Sequence, residues 1–77
     1  MESTNLALAG LEEITRKFLL GESSLAFSEV MSAVVKASEA GASQEEIRQA
    51  LGSAQARTQG KQQPDAAARL AELLSRP

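Results

Sequence analysis

The sequence contains no cysteine, histidine, tryptophan or tyrosine, and it has two phenylalanines among 77 residues. The lack of cysteine excludes disulfide bonds and thiolate metal sites, and it fits a reducing compartment such as the cytoplasm. Without histidine, cysteine and tyrosine, the side chains that most often transfer protons or attack substrates near neutral pH are absent. We therefore expect a cytoplasmic protein that is not an enzyme and that holds no metal and no cofactor.

Long hydrophobic runs are also absent, because no stretch reaches the roughly 18 apolar residues that a membrane-spanning helix needs. The five glycines stand apart from one another, so no glycine-rich phosphate-binding loop is present. We expect no contact with a membrane and no small-molecule substrate.

The formal net charge is −2, but the two halves of the chain differ in charge. Residues 1–46 carry eight acidic and three basic side chains (−5), and residues 47–77 carry two acidic and five basic ones (+3). The basic residues of the second half are spread from Arg48 to Arg76, and no aromatic residue lies among them to stack on bases. Nucleic-acid binding is therefore the less favoured function.

The most regular segment, around which the rest of the chain is arranged, is a predicted helix at residues 24–40. Its large apolar side chains fall on one arc: Phe27, Val30, Met31, Val34 and Val35. Ser23 or Ser24 can cap the first turn, and Gly41 can close the last turn in the left-handed conformation. Such an amphipathic helix requires a partner helix against its apolar face.

Another helix is predicted before it, at residues 5–20, with Thr4 or Asn5 as its N-cap. Gly10 lies inside this helix and costs about 1 kcal/mol relative to alanine, so it indicates either a late helix start or, as we favour, a close approach to the alanines of the next helix. The predicted apolar face consists of Ala7, Leu11, Ile14 and Phe18. Two predicted ion pairs lie on the other face: Glu12 with Arg16, and Glu13 with Lys17.

A third, short helix is predicted at residues 43–52, where Ser43 and Glu46 form an S-x-x-E capping box. From residue 53 to residue 63 no apolar side chain is larger than alanine. We expect a polar linker or frayed helix there: its first part could continue the third helix to Thr58, and residues 60–63 are predicted to be a flexible linker. A final helix follows at residues 64–76, with an apolar stripe at Leu70, Leu73 and Leu74.

The predicted fold class is all-α: a three-helix body (1–52), a polar linker or frayed helix (53–63) and a C-terminal helix (64–77). The predicted core is drawn from the body: Leu11, Ile14, Phe18, Phe27, Val30, Met31, Val34, Ile47 and Leu51. A body of this size buries only about 60% of its unfolded surface, so association with another chain would stabilise it.

The favoured function is non-enzymatic protein binding, as in a small bacterial or phage regulatory subunit, inhibitor or assembly adaptor. Six leucines outside the predicted core are assigned to a partner protein or a homodimer: Leu19, Leu20, Leu25, Leu70, Leu73 and Leu74. The C-terminal helix is then a docking helix on another chain, or else the fourth member of one bundle.

The segment EAGASQEEIRQALGS resembles the opening of a helix-turn-helix, in which a capped helix ends at Leu-Gly before a recognition helix. The resemblance implies a dimeric DNA-binding transcriptional regulator, which is the alternative function. Four side chains would then face phosphates and base edges: Arg48, Gln55, Arg57 and Lys61. After Gly52 the segment departs from the motif, because only Ala54 and Ala56 are available to hold a recognition helix.

A second resemblance covers residues 18–40, FLLGESSLAFSEVMSAVVKASEA, which is similar to part of the flagellar hook-basal-body rod-junction proteins. Those proteins continue into a long helix, whereas this chain turns at Gly41 and caps a new helix at Ser43. We carry no function over from this resemblance.

Overall fold

The computed structural model describes residues 2–22 and 26–75, and this part of the chain forms four α-helices without any strand. The helices are α1 (Glu2–Leu20), α2 (Phe27–Glu39), α3 (Gln44–Arg57) and α4 (Pro64–Ser75). α1 packs mainly against α2 and α3, and α4 contacts α1 and α3. The all-α fold class that the hydrophobic periodicity predicts is therefore confirmed.

Glycines end α1 and α2, since Gly21 (φ 67°) and Gly41 (φ 101°) both adopt the left-handed conformation. After α2, the Ala42 amide donates to the Ala37 carbonyl, and the Gly41 amide donates to the Ser38 carbonyl, both at 3.0 Å. This pair of bonds is the Schellman motif, which satisfies carbonyl groups that the helix itself leaves free. The predicted helix end at Gly41 is confirmed.

The start of α1 differs from the prediction, because the helix begins at Glu2 and Thr4 lies inside it. The Thr4 hydroxyl donates to the Ala40 carbonyl at the end of α2, at 2.6 Å. Thr4 therefore donates a hydrogen bond to a carbonyl group at the C-terminal end of α2, and it is not the N-cap of α1.

The start of α2 also differs, because the helix begins at Phe27 instead of residue 24. Its N-cap residue is Ala26, which is extended and makes no side-chain capping hydrogen bond. The predicted caps, Ser23 and Ser24, lie outside the described residues.

The capping box predicted at the start of α3 is present. The Glu46 amide donates to Ser43 Oγ at 3.1 Å, and the Ser43 amide donates to Glu46 Oε1 at 2.8 Å. Of the two predicted ends, near Gly52 or after a polar continuation to Thr58, the second is the one observed, because α3 continues to Arg57 with Thr58 as its C-cap. Ala54 is fully buried, and the good helix formers after Gly52 outweigh the cost of about 1 kcal/mol for one glycine.

The connection between α3 and α4 is short and hydrogen-bonded, where a flexible linker was expected. Thr58 is buried, and its hydroxyl donates to the Ala54 carbonyl at 2.9 Å. The Gln62 side-chain amide donates to Thr58 Oγ1 at 3.0 Å, and the Gln63 backbone amide donates to the Leu19 carbonyl at 2.8 Å. The prediction considered only apolar side chains, whereas polar contacts to α1 and α3 order this turn.

One continuous core joins the four helices. Its buried apolar residues are Leu11, Leu19, Val30, Ala33, Ala37, Ala42, Ile47, Leu51, Ala66 and Leu70. Four of them were predicted to be core: Leu11, Val30, Ile47 and Leu51. The other predicted core residues are half-buried: Ile14, Phe18, Phe27, Met31 and Val34. Leu11, Leu19, Val30 and Leu70 are fully buried at the centre, and the alanines beside them are small enough to let short helices approach closely.

α4 enters this core through Ala66 and Leu70, which are both buried. The apolar stripe of α4 is therefore covered at Leu70 by the protein's own helices α1 to α3. In this structure α4 is the fourth member of one bundle, which was the alternative to a docking helix.

Gly10 does not mark a close approach between helices, because a Cβ atom added there would meet no other atom within 4 Å. The buried positions of α2 are Val30, Ala33 and Ala37. The close approach expected at Gly10 is therefore wrong, although the alanine flank of α2 is buried as expected.

Candidate functional site

An open cleft of about 440 Å³ lies between α2 and α4, with α3 beneath it. We call it the α2–α4 cleft, and its lining residues are Val34, Ser38, Gln44, Ile47, Arg48, Leu51, Leu73 and Leu74. Ile47 and Leu51 of α3 form a buried apolar floor. Half-buried leucines of α4 and Val34 of α2 form the walls. A concave apolar surface of this kind is the default binding-site candidate in a small helical domain.

The leucines of α4 lie in the cleft because Leu70 anchors the preceding turn. Leu70 is fully buried, and Leu73 and Leu74 follow it by three and four residues, which places them on the same side of the helix. Both leucines belong to the last turn of the helix, which ends at Ser75. The last turn of α4 therefore leaves apolar side chains at the mouth of the cleft.

Val34 reaches the cleft from the opposite wall. It follows the fully buried Val30 by four residues and so continues the same apolar arc of α2, but it is only half-buried. Ser38, one turn later, is exposed at the rim, as are Gln44 and Arg48 of α3. An apolar centre with a polar rim is the usual arrangement of protein–protein interfaces.

A second apolar surface lies on the side of α2 that faces away from the core. We call it the outer face of α2, and it comprises Phe27, Ser28, Met31, Ser32, Val35, Lys36 and Glu39, with Arg69 of α4 at its edge. Val35, in the middle of this surface, is 52% exposed. The Arg69 guanidinium lies 5.9 Å from the centre of the Phe27 ring. The centres of the Phe18 and Phe27 rings are 5.7 Å apart.

The six leucines assigned to a partner are divided between different environments. Leu19 and Leu70 are fully buried and contribute to the core, so their side chains are not available to a partner in this fold. Leu20 is half-buried, and only Leu73 and Leu74 lie in the cleft. The sixth, Leu25, lies outside the described residues.

The four residues of the nucleic-acid alternative do not form one surface. Arg57 follows Arg48 by nine positions, which is about two and a half helical turns. The two side chains therefore lie on opposite flanks of α3. Arg57 Nε is 3.1 Å from Glu12 Oε1 of α1, whereas Gln55 lies on the flank of Arg48 and Lys61 lies in the turn. α3 also runs unbroken through Gly52, so the helix-turn-helix suggested at that position is absent.

Among the described residues, two carboxylates make contacts that hold the fold together, and no group of carboxylates forms a metal site. Glu12 Oε1 accepts a hydrogen bond from Ser53 Oγ at 2.7 Å, so it faces α3 instead of pairing along α1. The predicted ion pair of Glu13 with Lys17 is present at 3.6 Å. In residues 2–22 and 26–75, no three Asp or Glu side chains cluster to hold a metal ion, and every buried polar side-chain atom has a hydrogen-bond partner.

None of the helices in the described part of the chain is long and apolar enough to cross a membrane. Comparisons with protein-family models, with curated proteins and with solved structures gave no significant match. The α2–α4 cleft is therefore the feature from which a function is inferred.

Sequence reasoning missed the cleft because it placed Val34, Ile47 and Leu51 together in the interior of a three-helix body. The width of the apolar face of α2 could have indicated an open site. This face extends around the helix from Val30 through Val34 to Val35, which is wider than one neighbouring helix can cover.

Proposed function

We propose that this protein is a non-enzymatic protein-binding module, such as a regulatory subunit, inhibitor or assembly adaptor, and that its α2–α4 cleft receives an amphipathic helix of another protein. The observation that carries the proposal is the cleft itself, in which Val34, Leu73 and Leu74 stand half-buried around an apolar floor. Covering the apolar surface of this cleft with a partner would remove it from water, which is energetically favourable.

The dimensions of the cleft suit a helix better than a folded surface. The longest part of the lining is the floor from Gln44 to Leu51 of α3, which at about 1.5 Å per residue is about 10 Å long. A partner helix of about two turns can place apolar side chains at positions i, i+3 or i+4, and i+7 along such a groove. Ser38 and Gln44 at the rim can hydrogen-bond the polar flank of that helix.

The sequence supports a binding role over a catalytic one. The chain contains no histidine, cysteine or tyrosine, and two of its glutamates already have structural hydrogen bonds. Glu12 accepts from Ser53, and Glu46 is part of the capping box of α3. Of the remaining carboxylates, Glu13 pairs with Lys17 on the exposed side of α1.

The test is affinity capture from an extract of the source cells, with wild type compared with Leu74→Glu. Leu74 is half-buried at the mouth of the cleft, so the substitution should place a charge in the docking surface and leave the fold intact. We expect the captured partner to be lost. The matched control is Leu6→Glu, because Leu6 is 73% exposed on α1 and does not line the cleft. Circular dichroism establishes that both variants remain folded.

A photo-crosslinking residue makes the site explicit. Placed at Ser38 on the rim, it should crosslink to the partner that Leu74→Glu loses, whereas the same residue at position 6 should not. Binding of that partner should change little with salt, because the contact is apolar, while a nucleic-acid complex would weaken steeply. If Leu74→Glu captures the same proteins as wild type and Leu6→Glu, the cleft is not the docking site.

A further inference from the structure

α4 is held in the bundle by fewer contacts than the other helices. It packs less extensively against its neighbours than α2 and α3 pack against α1. Two of its 12 residues are buried, Ala66 and Leu70, and seven are exposed. Leu70 is the one large side chain of α4 that is fully buried. α4 therefore belongs to the part of the fold that opens at the lowest free-energy cost.

The turn after α3 joins α4 at Gln63 and Pro64. The Gln63 amide donates to the Leu19 carbonyl of α1 at 2.8 Å, and the Gln63 carbonyl accepts from the Ala67 amide of α4 at 2.9 Å. The hydrogen bond that holds the turn to α1 and the first hydrogen bond of α4 thus meet at one residue. Pro64 has no amide hydrogen and adds no backbone bond across this junction. α4 can consequently detach here without breaking the hydrogen bonds that order the turn.

The docking of α4 and its folding are one event. A lone helix of about 12 residues is only marginally stable in water, because forming its first turn is costly. α4 therefore keeps its helical structure only while Ala66 and Leu70 are packed in the core. When these two side chains leave the core, all the amides of the helix lose their protection together.

We propose that α4 docks and releases as one unit, hinged at Gln63 and Pro64, while α1 to α3 and the turn stay folded. Leu73 and Leu74, which form one wall of the α2–α4 cleft, belong to α4, so the cleft exists only while α4 is docked. A protein that binds in the cleft therefore favours the docked state, and release of α4 frees that protein. This consequence rests on the proposed function of the cleft, whereas the docking equilibrium is a property of the chain alone.

Native-state hydrogen exchange of the full chain, followed by NMR, tests the hinge. We expect the amides from Ala67 to Ser75 to exchange through one common opening, and faster than the core amides of α1. The Gln63 amide should exchange as slowly as those of α1, because the released state keeps its bond to Leu19. Protection that falls steadily towards Ser75 would mean fraying of the helix end. That result, or a Gln63 amide that opens together with α4, overturns the proposal.

Two variants separate the release of α4 from unfolding of the whole chain. Ser43 is exposed and does not line the cleft, and Ser43→Ala removes the capping box of α3. Amides that exchange by global unfolding should then exchange about fivefold faster, while those of α4 stay unchanged. Leu70→Ala should speed the exchange of the α4 amides about thirtyfold. If Ser43→Ala speeds α4 and α1 equally, α4 opens only when the whole chain unfolds, and the proposal is wrong.

An independent test uses a labelled peptide of residues 64–75 as the probe, and the same peptide with Leu70→Glu as its control. The peptide can dock only where the tethered α4 has released, and the tether gives α4 an effective concentration of about millimolar. Leu70→Ala weakens this tethered competitor. The wild-type peptide should therefore bind the Leu70→Ala chain about thirtyfold more tightly than the wild-type chain. Equal binding of the two peptides to the Leu70→Ala chain would contradict a releasable α4.

Failure of the hinge and failure of the cleft give different results. If Leu74→Glu captures the same proteins as wild type, the proposed function is wrong, and hydrogen exchange of the free chain still decides whether α4 releases. A partner that is captured through the cleft should slow the exchange of the α4 amides about tenfold when present at ten times its Kd. If the partner binds and leaves this exchange unchanged, the coupling between the cleft and the docking of α4 is wrong.

Discussion

The contact between α1 and α3 and the contact between α2 and α4 show two ways in which short helices pack in this domain. α1 and α3 pack extensively against each other, and polar groups join the two helices: Glu12 of α1 accepts from Ser53 at 2.7 Å and lies 3.1 Å from Arg57 of α3. α2 and α4 instead carry large side chains on their facing sides and meet at Phe27 and Arg69. The first contact is extensive and has hydrogen bonds across it, and the second leaves the α2–α4 cleft.

The two contacts differ in extent. α1 and α3 pack much more extensively than α2 and α4, and the polar tips of Glu12 and Ser53 meet between them. Between α2 and α4, Val34, Leu73 and Leu74 line the open space and are only partly covered. One helix contact of this small domain thus stabilises the fold, while the other leaves apolar surface exposed that a partner could bind.

The largest expected effect comes from comparing two valines of α2, Val30 and Val34. Val30→Asp places a carboxylate at a fully buried position, which costs several kcal/mol and is comparable with the whole stability of the domain. We expect Val30→Asp to be largely unfolded by circular dichroism. Val34→Asp should remain folded, because the half-buried Val34 side chain borders the open cleft, where a carboxylate keeps contact with water.

From its periodicity alone, Val34 would be judged as sensitive to substitution as Val30, because both lie on the most apolar arc of α2. Similar melting temperatures for Val30→Asp and wild type, or an unfolded Val34→Asp, would contradict the distinction between a closed core and an open cleft.

A smaller effect is expected from comparing two leucines of α4. Leu70→Ala removes a fully buried side chain and should lower the free energy of unfolding by about 2–5 kcal/mol. Leu74→Ala removes a half-buried side chain from the cleft and should lower it by about 1 kcal/mol or less. Urea unfolding of both variants at one chain concentration measures the difference.

If Leu70→Ala and Leu74→Ala destabilise the protein equally little, α4 is not held in the core of its own chain. That result would favour the docking helix that the apolar stripe suggested, in which α4 packs on another protein.

The smallest effects concern the two glycines that lie inside helices α1 and α3. A Cβ atom at Gly10 of α1 or Gly52 of α3 would meet no other atom within 4 Å. Gly10→Ala and Gly52→Ala should each raise the free energy of unfolding by about 0.5–1 kcal/mol, because alanine is the better helix former. Thermal denaturation checks the sign, and a loss of stability in Gly52→Ala would mean that the α1–α3 seam needs glycine.

Gly21→Ala is the matched control for these two substitutions. Gly21 has φ 67°, and a Cβ atom there would lie 3.0 Å from Gln63 Cγ. We expect this variant to lose about 1–2 kcal/mol, since an L-residue in the left-handed conformation is strained by about that amount. The same glycine-to-alanine change thus has opposite signs inside a helix and at its end.

The local features of the fold could be predicted from the sequence because each depends on a few neighbouring residues. The four helices follow from hydrophobic spacing, and the capping box at Ser43 and Glu46 and the helix end at Gly41 follow from residue type. The start of α1 and the end of α3 were predicted less well. Thr4 bonds to α2 and Ala54 packs in the core, so contacts with other helices extend both elements beyond their local signals.

The candidate site could be predicted only in part. The stripe at Leu70, Leu73 and Leu74 is visible in the sequence, but its division into one buried and two half-buried leucines is not, since all three share one helix face. The turn at Thr58 and Gln62 was read as a linker because hydrogen bonds to distant carbonyls leave no pattern in composition.

The sequence by itself determined the all-α class, the glycine and serine signals at helix ends, and the absence of histidine, cysteine and tyrosine. Only the tertiary structure decided that Leu19 and Leu70 are core, that Glu12 reaches α3, and that Val34 borders a cleft. The physical reason is one of range. A cap or a helical turn is made by groups within about four residues of one another, whereas burial is the sum of contacts from segments far apart in the chain.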